Sequence, residues 1–138
     1  MGVPPFLVTT SLQGVLAQRL VRKVCPRCSS PRTLEERERE WLHDALGEVG
    51  TGLHQQQVGR GCSHCNNTGY LGRTGVYEFL EMSHQLINAA TRANPTEFVH
   101  LARLQLGRDT LRHHAAGLVC SGVTTVAEAM KVSYELSD

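Results

Sequence analysis

Cys-Pro-Arg-Cys at residues 25–28 and Cys-Ser-His-Cys at residues 62–65 are the two stretches that decide the fold of this chain. Two residues between paired cysteines let a tight turn aim both sulfurs at one point about 2.3 Å away, the Zn–S distance. A single C-x-x-C pair could equally be a redox motif, but two pairs separated by a segment with its own helical pattern indicate a closed structural zinc site. The predicted ligands are Cys25, Cys28, Cys62 and Cys65.

Two disulfides and one catalytic redox pair are the competing interpretations of these cysteines. A disulfide framework is expected to have an even cysteine count and a secretory signal, whereas this chain has five cysteines and no signal pattern. A redox pair is expected after a strand of a βαβ unit, and neither motif follows such a unit. His64, inside the second motif, is a weaker candidate ligand because the turn already commits the two flanking thiols.

The composition is that of one ordinary domain or two small lobes. The 138 residues are 41% hydrophobic and 20% charged, which is typical of a soluble globular protein. A net charge of +1 gives no reason to expect nucleic acid as a partner. No apolar run approaches the length of about 18 residues that a membrane span needs. Thiols kept free for a metal favour a reducing compartment, so we expect a cytoplasmic protein.

The part of the chain before the first motif is predicted to be extended at residues 1–8 and helical at residues 12–24. Ser11 is the expected cap of this helix, whose apolar residues follow the i, i+3, i+4 rule. A divalent ion with four thiolates is a net negative centre, so basic residues near the ligands are expected to offset its charge. The candidates are Arg22, Lys23, Arg27 and Arg60.

A second helix is expected between the two motifs. Thr33 and Glu36 have the spacing of a capping box, and glycines at residues 47–52 end the helical pattern. Trp41 is the expected buried aromatic of this lobe. Residues 53–60 have weak strand character.

The remainder of the chain is predicted to be mostly helical after one strand. The expected elements are a strand at residues 76–80 and helices at residues 84–92, from Pro95, at residues 109–120, and from Val126. Asn94 is the predicted cap of the helix at Pro95, and Thr125 and Glu128 form a second capping box. Cys120 is expected to be a buried core thiol because it lies among apolar residues.

The sequence contains no G-x-x-x-x-G-K-[ST] loop, and its Gly69, Gly72 and Gly75 series does not lead from a strand into a helix. No Ser/His/Asp or Cys/His arrangement can be assigned from spacing. Catalysis by this chain alone is therefore not expected.

Three blocks resemble the ATPases of type II secretion and type IV pilus assembly. Residues 11–26 match the pattern S-L-x-x-V-x-A-Q-R-L-V-R-x-L-C-P, with Val24 in place of leucine. Residues 61–78 contain the second motif, T-G-Y and G-R-T-G, and residues 122–128 match G-x-T-T-x-x-E. The resemblance covers nearly the whole chain in the right order, which is more specific than any one block.

The resemblance implies the C-terminal region of a longer RecA-like motor whose Walker A, acidic, histidine and Walker B motifs lie upstream. It implies zinc on the four cysteines, with ATP and magnesium bound only in the parent protein. The family ATPases form hexamers in the cytoplasm, beneath a polytopic platform protein of the inner membrane. The resemblance transfers no catalytic residue, although Arg19, Arg22 and Arg73 lie within the matching blocks.

We therefore predict an α+β fold, mainly α, in three consecutive parts. Residues 1–24 would hold a leading segment and the last helix of the motor core, residues 25–82 a tetracysteine zinc-binding subdomain with a short β element, and residues 83–138 a small helical bundle. The expected function is that of an interaction and force-transmitting lobe without a nucleotide site or a membrane span.

The alternative is a free-standing zinc module that binds nucleic acid or protein. Nucleic-acid binding is disfavoured because the uncompensated basic residues are confined to residues 1–32 and only 5% of residues are aromatic, too few for a stacking platform. A chaperone zinc domain would require C-x-x-C-x-G-x-G repeats, and residues 65–69 break that pattern.

Overall fold

The computed structural model describes residues 2–133, and its α+β fold, mainly helical, confirms the predicted fold class. The helices are α1 Pro5–Ser11, α2 Glu36–Leu46, α3 Glu48–Thr51, α4 His84–Thr91, α5 Pro95–Leu106, α6 Leu111–Cys120 and α7 Val126–Ser133. The strands are β1 Gly14–Val24, β2 Ser29–Thr33, β3 Gln55–Gly59 and β4 Tyr70–Glu81, where β1 lies beside β4 and β2 beside β3. Within residues 2–133, no helix is long and apolar enough to cross a membrane.

The chain forms two compact units. One comprises residues 2–17 together with Glu78–Thr110, and the other comprises Gln18–Tyr77 together with residues 111–133. The consecutive division at residues 24 and 82 stays a prediction about independently folding parts.

The first unit is built around α4, which contacts both α1 and α5. Ser83 caps α4 by accepting a hydrogen bond from the backbone N–H of Leu86, which is fully buried. Asn94 caps α5 in the same way, through the N–H of Glu97, so this predicted cap is confirmed. The helix at residues 84–92 is also confirmed, to within one residue.

The second unit is organised by the antiparallel pair β2 and β3, in which Ser29 lies opposite Gly59 and Thr33 opposite Gln55. Helices α2 and α3 connect these two strands, and α6 contacts α2, α7 and β3. Trp41 is buried, as expected. The largest fully buried side chains of this unit are Leu42, Leu111, Val21, Val76, Val119 and Val126.

The predicted helix at residues 12–24 is wrong, because this segment is the strand β1. The apolar spacing was helical, but Leu16 and Leu20 are 61% and 54% exposed, and only Val21 and Val24 are buried. Pairing with β4 satisfies the backbone of this valine-rich segment, and such a partner overrides a local pattern. Ser11 accordingly does not begin a helix but ends α1.

Three further local predictions need correction. Residues 5–8 are helical rather than extended, with Pro5 at the first helical position, where its fixed φ is favourable. The capping box of α2 is formed by Glu35 and Glu38, because residues up to Thr33 are held in β2 and the helix begins later. Cys120 is exposed at the end of α6 rather than buried in the core.

Candidate metal centre

The sulfurs of Cys25, Cys28, Cys62 and Cys65 all lie within 4.8 Å of one another. The sulfur–sulfur separations are 3.8 Å for Cys25–Cys62, 3.8 Å for Cys28–Cys65 and 3.7 Å for Cys62–Cys65. A tetrahedral ion about 2.3 Å from four sulfurs requires them to be about 3.8 Å apart, so the donor set fits such an ion. All four are free thiols, whereas a disulfide would bring two sulfurs to about 2.05 Å.

The pairing of β2 with β3 brings the two motifs together despite the 33 residues between them. Cys28 immediately precedes β2, and its carbonyl accepts a hydrogen bond of 3.0 Å from the N–H of Arg60, just after β3. The long spacing is therefore accommodated by a helical connection at the far end of the strand pair, while the motifs meet at the near end.

The second motif is a single turn of 3-10 helix, Ser63–Cys65, followed by left-handed residues at Asn66 and Asn67. This turn aims two backbone N–H groups, those of Cys62 and Gly69, at the sulfur of Cys65, each at 3.3 Å. Such N–H donors stabilise a thiolate and orient it, as outer contacts do around bound metals.

These contacts act on the acidity of the thiols. Burial works to raise the pKa of Cys65, but the N–H groups of Cys62 and Gly69 outweigh it and lower that pKa to about 6. Burial, together with the surrounding thiols, raises the pKa of Cys28 to about 11. The N–H donors to Cys65 thus favour its thiolate, which is the form that ligates metal.

The other candidate residues of the sequence lie outside the cluster. His64 is not among its four members. Arg60 donates from Nε to the hydroxyl of Ser30 at 3.0 Å, and Arg22 forms an ion pair with Glu128. Arg22 therefore has a carboxylate partner of its own.

The pair between Arg22 and Glu128 was not predicted from the sequence. One carboxylate oxygen of Glu128 accepts hydrogen bonds from Nε and Nη2 of Arg22, at 3.0 and 2.8 Å, and from Lys131 at 2.9 Å. Its other oxygen accepts from the backbone N–H of Arg22 at 2.9 Å. Burial works to raise the pKa of Glu128, but these donors lower it to about 2.

The expected capping box of α7 is therefore only half formed. Thr125 caps the helix, since its hydroxyl accepts a hydrogen bond from the N–H of Glu128 at 3.3 Å. The carboxylate of Glu128 bonds Arg22 instead of returning to the backbone of Thr125.

The ring of Tyr70 lies 4.1 Å from the guanidinium of Arg22, and its hydroxyl shares a 2.8 Å hydrogen bond with Thr125. These three residues and Glu128 all lie within the blocks that match the family pattern, but no local spacing in the sequence predicted their contact.

Four protein sulfurs fill a tetrahedral shell and leave no position open for substrate, so the cluster has the arrangement of a structural metal site. The fold and this site define an α+β domain with a tetracysteine centre that can bind a metal ion. The chain belongs to the family described as Type II/IV secretion system protein, whose sequence profile matches residues 1–131.

Curated relatives support the same assignment. The chain is 39% identical over 140 residues to the Type II secretion system protein E of Aeromonas hydrophila, covering 98% of this chain and 26% of that protein. It is 37% identical over 134 residues to the Type IV pilus assembly ATPase TfpB of Acinetobacter baylyi, covering 96% and 22%. For the Type IV pilus assembly ATPase PilB of Myxococcus xanthus the identity is 35% over 137 residues, covering 94% and 23%. The chain thus spans about a quarter of the length of these relatives.

Proposed function

We propose that this chain is the zinc-binding region of a hexameric ATPase of type II secretion or type IV pilus assembly. In this role it is an interaction and force-transmitting lobe that contains no nucleotide site. ATP and magnesium bind elsewhere in the parent protein, and Cys25, Cys28, Cys62 and Cys65 hold one Zn²⁺. The observation that supports zinc is the set of four thiols whose separations match a tetrahedral shell.

The bound zinc would crosslink the two halves of the lobe. The connection from Cys28 to Cys62 includes β2, α2, α3 and β3, so one ion closes a loop that would otherwise cost chain entropy. Structural zinc sites of this type contribute directly to folding, because the site does not exist in the unfolded chain.

The partners in this proposal are the remaining domains and subunits of the ATPase hexamer and a platform protein of the inner membrane. The lobe would then work in the cytoplasm, at the inner face of that membrane, and contact it through partners. Support comes from the family assignment and from relatives named as components of type II secretion and as pilus assembly ATPases.

The metal is tested by elemental analysis and by cobalt titration of the 138-residue chain. We expect one zinc per chain and, with Co²⁺, the strong visible bands of tetrahedral thiolate coordination, both lost in Cys25→Ser. Binding of fewer than half an equivalent by the unsubstituted chain would contradict the proposal.

The proposal that the nucleotide site lies elsewhere in the parent protein is tested by ATP hydrolysis. The chain alone is expected to show none, and a longer protein that includes a G-x-x-x-x-G-K-[ST] loop is expected to hydrolyse ATP and form hexamers in light-scattering measurements. If the 138-residue chain hydrolysed ATP as fast as the longer protein, the proposal that this chain contains no nucleotide site would be refuted.

A further inference from the structure

We propose that the segment Val123–Glu128 positions the two cysteine motifs for metal binding, and that Glu128 is a positioning residue that acts through Arg22. The proposal rests on the function proposed above, in which the four cysteines hold zinc.

The segment fixes the last residues of β1 before the first motif. The backbone N–H of Arg22 donates to the carboxylate of Glu128 at 2.9 Å, and the carbonyl of Arg22 accepts from the hydroxyl of Thr124 at 2.7 Å. Both polar groups of one backbone residue are thus occupied by the segment.

Two residues further along, the N–H of Val24 donates to the carbonyl of Val123 at 2.8 Å. The next residue is the ligand Cys25, whose N–H donates to the carbonyl of Gly69 at 2.9 Å. The path of the chain into the first motif is therefore set by hydrogen bonds to residues distant in sequence.

The same segment contacts the chain that leaves the second motif. Thr125 shares a hydrogen bond of 2.8 Å with the hydroxyl of Tyr70. Tyr70 follows Gly69, whose N–H donates to the sulfur of Cys65. One short segment therefore contacts the approach to the first motif and the exit from the second.

Burial makes this arrangement depend on its charges. Thr124 is 0% exposed, and Thr125 and Glu128 are 5% exposed. A carboxylate so enclosed is costly unless it is paired, and its partners are Arg22 and Lys131. The contacts that hold α7 and those that hold the end of β1 are therefore the same contacts. For this reason metal retention and the packing of α7 are coupled. Because such coupling is reciprocal, removing the metal loosens α7.

The test measures zinc release from the 138-residue chain to a chromogenic chelator at pH 7.5, together with cobalt dissociation constants. The variants are Glu128→Gln, which removes the charge, and Thr124→Val, which removes one hydroxyl at nearly constant volume. Glu40→Gln, an exposed residue of α2, is the matched control. Circular dichroism identifies variants that remain folded, and hydrogen exchange of α7 is measured with and without zinc.

We expect Glu128→Gln and Thr124→Val to weaken metal affinity by about 10-fold, with the tetrahedral cobalt spectrum retained at saturation. This is the lower end of the range for groups bonded directly to a metal ligand, because both residues act through Arg22. Glu40→Gln should match the unsubstituted chain, and zinc removal should accelerate exchange in α7 more than in α5. Affinities equal to that of the unsubstituted chain in both variants would overturn the inference while leaving the zinc site intact. Absence of metal binding by the unsubstituted chain would refute both proposals. If Glu128→Gln does not fold, Thr124→Val decides alone.

Discussion

Gly59 and Gly69 cross with their backbones in direct contact, so a Cβ on either residue would overlap the main chain of the other. Gly59 ends β3 and Gly69 follows the second motif with φ at 80°. Gly69 is also the residue that donates to the sulfur of Cys65 and accepts from the N–H of Cys25. The crossing therefore holds β3 next to the chain that surrounds the metal ligands.

Gly69→Ala is expected to destabilise the second unit by about 2 to 4 kcal/mol, because the methyl group meets backbone and the residue has a positive φ. Urea unfolding followed by the fluorescence of Trp41, the single tryptophan, measures the loss. Gly117→Ala is the control: it lies in α6 with open space around it, and should stabilise by up to about 1 kcal/mol. A Gly69→Ala protein as stable as the original would disprove the close approach.

Cys62→Ser is expected to remove metal binding and to unfold the second unit, including α6 and α7. Helices α4 and α5 are expected to stay protected from hydrogen exchange. The reason is that α6 and α7 share a compact unit with the four cysteines. Hydrogen exchange read by mass spectrometry measures each helix separately. Cys120→Ser, which changes an exposed cysteine outside the cluster, should have little effect. Retained protection in α6 and α7 would instead support the consecutive division at residues 24 and 82.

Glu128 should make the stability of the second unit depend on pH. Its pKa is about 2 in the folded chain against 4.5 ordinarily, so its contribution is complete above pH 4.5 and is lost as pH falls toward 2. The shift corresponds to about 3 kcal/mol for a side chain that is 6% exposed.

Urea unfolding of the original chain and of Glu128→Gln between pH 7 and pH 3 checks this expectation. The difference in unfolding free energy between the two proteins should shrink as the pH falls. Because Glu128→Gln is also expected to weaken metal binding, the metal content of both chains is measured at each pH, and the difference is compared only where both retain the ion. A difference independent of pH would show that the carboxylate charge of Glu128 is not stabilising.

Gln56→Leu is expected to cost about 1 to 3 kcal/mol of stability. The buried amide of Gln56 accepts a hydrogen bond from the N–H of Val126 at 2.9 Å and donates to Glu38 at 3.1 Å. Leucine would leave the N–H of Val126 unsatisfied, whereas Glu38 would keep its hydrogen bond from Arg32. Gln55→Leu is the matched control, because its side chain is exposed on the same strand. Equal thermal denaturation midpoints for the two variants would show that the hydrogen bonds of the Gln56 amide do not contribute to stability.

The family was recognisable from the order of three sequence blocks, and the convergence of the four cysteines could be expected from their two C-x-x-C spacings. Helices α4 and α5 and the Asn94 cap were also predictable. The two C-x-x-C turns, the cap and the apolar stripes depend on residues close together in the chain, whereas the pairing of β2 with β3 is what brings the two motifs together. That the four cysteines bind zinc stays a prediction for the measurements above.

Tertiary structure alone decided β1, because its backbone partner β4 is distant in sequence and overrides the helical spacing of its apolar residues. It also decided the partner of Glu128, which bonds Arg22 across a sequence separation of 106 residues instead of completing a local capping box. A local sequence pattern predicts the secondary structure that a segment would adopt without tertiary contacts. Where a backbone or a buried charge must find its partner far along the chain, only the folded arrangement supplies that partner.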